Sequence, residues 1–329
     1  MQALPVLRLL KLHNPANEVF WWLSADLAPL LEDDPDLAGI LPFDRRRWLH
    51  PHWWRRQLAS ILEMRAHRFD WVIDLQSLAR SGLFAWLANG KVTVGLDDAR
   101  EGARGFYDVV VRRPSFFTHA VDWYLEVLRE LNVPVHEDFA WMPARPKIAS
   151  SIRKKWPLQR AKWILLHPGA RWPTKRWPVE CYQRLVQLLT AATPNLDLAV
   201  LGTRDEAFLG SAIAQTNPQR CLDLTGQTSL TEMIEWIRQS EMLICSDTGP
   251  MHVAAALDKP VVAIFGPTEG RRTGPYRQID RVIRVDLPCA PCFRSRCGNP
   301  NRLQCLREIT PEDVFDRVSK RIALEPVQK

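Results

Sequence analysis

The sequence predicts an α/β protein of two Rossmann-like halves, each a parallel sheet covered by helices, and three observations carry that expectation. Apolar runs of strand length recur through the 329 residues, amphipathic helical stretches lie between them, and a Pro-rich basic stretch without strand pattern divides the chain near its middle. The bulk agrees, because 46% hydrophobic and 25% charged residues suit globular domains, and no apolar run approaches the roughly 20 residues of a membrane span.

In chain order, "QALPVLRLLKLHNP" reads as a helix. Arg8 and Lys11 interrupt its apolar pattern, so it lacks the core of a secretory signal and predicts a cytoplasmic protein. "VFWWL" (Val19 to Leu23), "WVIDL" (Trp71 to Leu75) and "VTVGL" (Val92 to Leu96) read as strands, with a helix over Ser77 to Ala88. "WMPARPKIASSIRKKWPLQRAKW" reads as a linker, with domains at 1–150 and 151–329. Beyond it, "WILLH" (Trp163 to His167), "LAVLG" (Leu198 to Gly202), "MLIC" (Met242 to Cys245) and "VVAIF" (Val261 to Phe265) read as strands. Helices are expected over Pro178 to Thr190 and Leu230 to Gln239.

Ligands of open parallel sheets bind at the carboxyl ends of the strands, so residues just after each strand are the candidates. In "SDTGPMHVAAAL" a strand gives way to a tight turn and a helix, with Ser246, Asp247 and Thr248 as capping types and Pro250 in the first turn. The free amides and the helix dipole there favour an anion such as a phosphate. After "WILL", the loop "HPGARWPTKRWP" offers Lys175 and Arg176 as a point charge and a forked donor for a diphosphate. After "LAVLG" come Asp205 and Glu206, carboxylates of the kind that accept ribose hydroxyls. After "VVAIF", "GPTEGRRTGPY" adds a rigid loop with Arg271 and Arg272.

The net charge of +7 and the 14 tryptophans point to an anionic partner: nucleotide, nucleic acid or an anionic membrane surface. Four of the seven cysteines, Cys289, Cys292, Cys297 and Cys305, fall within 17 residues at C-x2-C-x4-C-x7-C spacing. That pattern is read as either a structural four-cysteine zinc site or ordinary reduced thiols. A basic nucleic-acid-binding protein with a zinc knuckle is the rival from another class. Its positive residues, however, are scattered over both halves, and no aromatic RNA motif is present, so no nucleic-acid partner is expected.

Taken together, "LLHPGARWPTKRWP", "LGTRDE", "LDLTGQTSL", "SDTGPMHVAAALDKPVVAIFGPTEGRRTGPY" and "CAPCFRSRCGNPNRLQCLREITPEDV" resemble the ADP-heptose:lipopolysaccharide heptosyltransferases, glycosyltransferase family 9. "FDWVIDLQSLARSGLFAWL", "VGLDDAREGARGFYD" and "HAVDWYLEVL" extend the resemblance to the first half and look most like heptosyltransferase I.

The resemblance implies a GT-B glycosyltransferase with two Rossmann-like domains facing a cleft. Such an enzyme transfers heptose from ADP-heptose, with inversion, to Kdo-lipid A or core lipopolysaccharide, and needs no metal for catalysis. It implies that Thr248, Gly249 and Pro250 hold the donor diphosphate while Lys175 neutralises the leaving group, helped by Arg176. By the same resemblance Asp247 lies against the heptose or phosphates, Glu206 near the ribose, and His252 packs or orients. Gln76, Arg80, Arg100 and Arg104 are the candidates for acceptor contact.

Chains of this family begin with a strand and an "SxGD" loop whose aspartate is the general base, and neither precedes the first helix here. The expectation is therefore a late-assigned start, with a catalytically impaired nucleotide-sugar-binding homologue as the alternative. Asp70, Asp74, Asp97 and Asp98 are the other acids weighed as a base. "DRRRW" and "HPHWWRRQ", with Arg46, Arg47, Arg55 and Arg56, suit an anionic interface, which makes the expected enzyme peripheral on the inner face of the inner membrane.

Overall fold

A computed structural model describes residues 1–44, 54–98, 101–156 and 158–321. The chain gathers into two compact units, Gln2–Pro143 and Ala144–Lys329. The first carries α1 (Leu4–His13), β1 (Phe20–Ser24), β2 (Gly39–Phe43), α2 (Trp54–Ala66), β3 (Trp71–Asp74), α3 (Ala79–Leu87), β4 (Val92–Leu96), β5 (Val109–Val111) and α4 (Ala120–Glu130). The second opens with α5 (Pro146–Lys155), β6 (Lys162–His167), α6 (Val179–Ala192), β7 (Leu196–Val200), α7 (Ala207–Ala214), β8 (Cys221–Asp223) and α8 (Leu230–Gln239). It continues with β9 (Met242–Ser246), α9 (Gly249–Ala256), β10 (Val261–Ile264), α10 (Gly270–Thr273), β11 (Val282–Ile283), α11 (Gln304–Arg307) and α12 (Pro311–Ser319).

In the second unit six parallel strands run β11-β10-β9-β6-β7-β8. The central β6 and β9 read as unbroken apolar runs because helices cover both faces and leave no side for water. Trp163 on β6 packs edge-on to Trp236 at 5.1 Å, and Ile164, Leu166, Ile244 and Ile264 form the middle of the core.

The first unit holds two parallel sheets, β1-β2 and β3-β4-β5. Among the described residues, the edge of β1 away from β2 and the edge of β3 away from β4 have no strand partner. Both edges line a cavity of about 780 Å³. Leu7 and Leu10 of α1 line it too, as do Met64 of α2 and Phe84 of α3.

Two expectations shift. The basic stretch read as a linker contains α5, whose Ile152 is fully buried, and the units divide at Pro143 and Ala144, ahead of residue 150. Arg153 donates to Gln239 at 2.7 Å and stacks 5.0 Å from the Trp163 ring, while Lys155 sits 4.1 Å over Trp156, so these cations dock a helix. The strands β2, β5, β8 and β11 escape the sequence pattern. β2 contains Pro42, which a strand tolerates only at an edge, and it is an edge strand.

Candidate functional site

In the second unit the loops after β6, β7 and β9 bring the predicted donor residues together. Asp247 follows the last residue of β9, 9% exposed, and Lys175 closes the short turn Pro173–Lys175 after β6. The Lys175 Nζ lies 2.6 Å from Asp247 Oδ2 and 4.7 Å over the Trp172 ring. The cation is thus aimed by a carboxylate and an aromatic face at once.

Thr248 occupies the position before α9 in extended conformation, and its side chain makes no capping bond. The amides of the first turn are therefore left without the usual side-chain acceptor, and Pro250 sits within that turn. A Cβ placed on Gly249 would meet nothing within 4 Å, so the space before the helix is open. Free N–H groups, an open front and a neighbouring ammonium together make an anion seat. His252 is half-buried one turn in.

Glu206 is buried beside the same loops. Its Oε2 accepts from the Thr203 amide at 2.9 Å and the Thr203 hydroxyl at 3.0 Å, and its Oε1 lies 3.9 Å from Arg176 Nη2. Arg176 in turn donates to the Ala170 carbonyl at 2.9 Å. A Cβ at position 169 would come 2.1 Å from Glu206 Oε1, so only glycine leaves that carboxylate where it is. Sequence reasoning missed this fit, although the "HPGAR" turn was its signal. His167, at the end of β6, is also buried here, and burial lowers its pKa against the opposing pull of the Glu206 charge.

In the first unit Gln76, Arg80 and Arg104 follow the carboxyl ends of β3 and β4, and Arg104 lies 3.7 Å from Asp97. Arg100 lies outside the described residues, as do Arg46 and Arg47; Arg55 is exposed at the start of α2. Asp74 is fully engaged: it accepts from the amides of Gln76 and Ser77 at 2.8 and 3.1 Å, and from the hydroxyls of Ser81 and Tyr107 at 2.7 Å each. That carboxylate ties β3, α3 and the segment before β5, and has no lone pair left to serve as a base. The Tyr107 hydroxyl is pushed up by burial and then by the Asp74 charge, so it remains a donor. Asp70 is exposed at the opposite end of β3, paired with Lys91 at 2.6 Å.

The four clustered cysteines are free thiols. Among the described residues no three His, Cys, Asp or Glu side chains are already grouped to hold a metal. No helix among the described residues is long and apolar enough to cross a membrane.

Comparison with known proteins follows the same lines. The profile of glycosyltransferase family 9 (heptosyltransferase) matches residues 57–302. Lipopolysaccharide heptosyltransferase 1 of Pseudomonas aeruginosa is 27% identical over 311 residues, covering 90% of this chain and 83% of that protein. Lipopolysaccharide heptosyltransferase 2 of Salmonella typhimurium is 26% identical, covering 99% and 96%. Among solved structures, E. coli ADP-heptose lps heptosyltransferase II superposes with a TM-score of 0.78 at 22% identity, covering 98% of this chain and 95% of that one. E. coli heptosyltransferase WaaC with ADP gives 0.76 at 23%, covering 97% and 95%. At these identities the structural likeness speaks for the fold, two parallel-sheet units of GT-B type.

Proposed function

Since the chain belongs to glycosyltransferase family 9, the heptosyltransferases, we propose that it transfers a heptose from ADP-heptose to the inner core of lipopolysaccharide, in the Kdo-lipid A region, with inversion and without a catalytic metal. The observation that carries the donor half of this reading is the open first turn of α9 with Lys175 held 2.6 Å from Asp247 beside it. A sugar diphosphate gains charge on its β-phosphate as the glycosidic bond breaks. Preorganised amides and an ammonium stabilise that charge without reorganising. Because Asp247 partly neutralises Lys175 before the donor arrives, the lysine is held in place and shared with the phosphate when the donor binds. Glu206, fixed by Thr203, keeps Oε1 towards the glycine turn, where a ribose hydroxyl can donate to it.

In an inverting displacement the acceptor hydroxyl attacks the anomeric carbon opposite the departing ADP and passes its proton to a base. Asp74 is unsuited to that role by its four donors. Gln76, Arg80 and Arg104 offer polar and cationic groups for an acidic acceptor, and Arg100 is retained in the same role from the sequence. Work on such an acceptor is consistent with a cytoplasmic enzyme peripheral to an anionic membrane, with Arg55 among the contacts. Two alternatives from the sequence, a catalytically impaired binding homologue and a nucleic-acid-binding protein, gain no observation here.

The test is ADP release from ADP-heptose with Kdo-lipid A as acceptor, alongside thermal shift with ADP-heptose and with an oligonucleotide. Turnover and a donor-dependent rise in melting temperature support the reading. A rise with ADP-heptose without turnover leaves only the binding homologue. Stabilisation by the oligonucleotide alone sinks both.

A further inference from the structure

The unit Gln2–Pro143 carries an exposed surface that the donor site does not use. α2 and α3 are neighbours there, because Met64 of α2 shares one apolar cluster with Phe84 of α3 and the adjoining Ala88, and Ile61 packs against the same cluster. On the side of α2 turned away from that cluster stand Leu58 and Leu62, one helical turn apart and 56% and 57% exposed. On α3 Leu83 and Trp86 are likewise turned outward, at 37% and 58%. Each stripe opens on a cation one turn earlier, Arg55 ahead of Leu58 and Arg80 ahead of Leu83, and exposed Arg65 follows Leu62 by one more turn.

A single exposed leucine is ordinary. Four large apolar side chains on the outward faces of two neighbouring helices are not, and the second unit gives the contrast: Phe208, Ile279 and Phe293 are exposed there on three separate segments. The charge beside the stripes is mainly positive. Arg55, Arg65 and Arg68 are exposed against Glu63, while Asp70 is balanced by Lys91 at 2.6 Å and Glu101 accepts from the Ala79 amide at 3.0 Å. The sequence ahead of α2 adds Arg45, Arg46 and Arg47. Apolar side chains flanked by cations complement a lipid surface with acidic headgroups: the acyl boundary takes the leucines, the interface takes the tryptophan ring, and phosphates take the guanidinium groups.

We propose that the outward faces of α2 and α3 dock on a bilayer of anionic phospholipid, with Leu58, Leu62, Leu83 and Trp86 reaching the headgroup–acyl boundary while Arg55 and Arg65 hold headgroup phosphates. The purpose of this docking rests on the function proposed above, because α3 begins among the acceptor candidates Gln76 and Arg80 and its docking holds that end of the unit at the surface where a lipid-anchored acceptor sits. The docking itself is measured without turnover.

The test is flotation of the full chain with vesicles of equimolar phosphatidylethanolamine and phosphatidylglycerol, and with phosphatidylcholine vesicles as the neutral comparison. The chain should bind the anionic vesicles at least about tenfold more tightly, and added salt should narrow that difference. The double variant Leu58→Ser with Leu62→Ser, the single Trp86→Ser, and the double variant Arg55→Glu with Arg65→Glu should each weaken anionic binding by at least about tenfold. Phe208→Ser, exposed in the second unit, should bind as the parent does. The leucine and tryptophan variants should keep the parent's melting temperature and its ADP release with an acceptor stripped of acyl chains, since these positions are exposed. Failure to float overturns the proposal, as does binding undiminished in all three variants or binding only when Kdo-lipid A is in the vesicles. A dimer of the parent that Trp86→Ser dissolves, with vesicle binding unchanged, assigns the face to a second copy and overturns it as well. Flotation without ADP release upholds the docking and sinks the proposed function; ADP release without flotation does the reverse.

Discussion

In the unit from Ala144 onwards six parallel strands pair without interruption, whereas in Gln2–Pro143 five strands fall into two sheets whose open edges look onto one cavity. Both halves show the same alternation of strand and helix, so the difference lies in closure and not in local pattern. In the second unit every strand but the two at the ends has two neighbours, and its buried helices pack on a continuous core. In the first, α1 is buried almost to its end, and a single ionic knot does part of the tying: Arg8 bonds Asp34 and Asp36 at 2.5–2.6 Å and the Trp141 carbonyl. Edge amides beside a cavity lack the partners that a central strand would give them. Local sequence thus builds the elements, while uninterrupted pairing is what closes the second unit around a continuous core.

Core substitutions would test this contrast with the largest effect. Leu166→Ala, in the middle of β6 and fully buried, should destabilise by about 3–5 kcal/mol, because its dense surroundings leave a new void. Leu7→Ala, which borders the existing cavity, should cost only about 2 kcal/mol, since part of its contact is already missing. Equal losses in urea titrations would mean that the cavity is closed in solution.

The donor site comes next. Lys175→Gln should lower kcat/KM by about 10²–10³-fold, well beyond any change in melting temperature, because the proposed role of the charge is to stabilise the leaving group. A parallel loss of stability would instead make the Lys175–Asp247 pair structural. Gly169→Ala should raise the donor KM roughly tenfold by displacing the Glu206 carboxylate that its Cβ would otherwise overlap, with kcat less affected.

The smallest effect expected is a pH slope in the second unit. The pKa of His167 is lowered in the fold by burial, so the unfolded chain binds a proton that the native chain does not. Stability therefore falls as pH drops through the usual histidine value of 6.5, and is fully present above it. Melting temperatures of His167→Gln should lose that part of the slope; an unchanged slope would assign it to other groups.

The sequence by itself determined the α/β class, seven of the strands within a residue or two, and the loops after β6, β7 and β9 as the candidate site. Each of these rests on a short-range signal, an apolar run or a turn and cap within about ten residues. It also carried the family, since "SDTGPMHVAAAL" and its neighbours keep their order along the chain. Only the tertiary structure decided the rest. Lys175 meets Asp247 across 72 positions, and Asp74, free to be a base on paper, is consumed by Tyr107 across 33. The basic stretch before β6 became a docked helix that buries Ile152 and bonds through Arg153 to Gln239, 86 positions away. Partners so far apart leave no local trace, because the chain brings them together only by closing loops, and the sequence records each residue without recording which other it will meet.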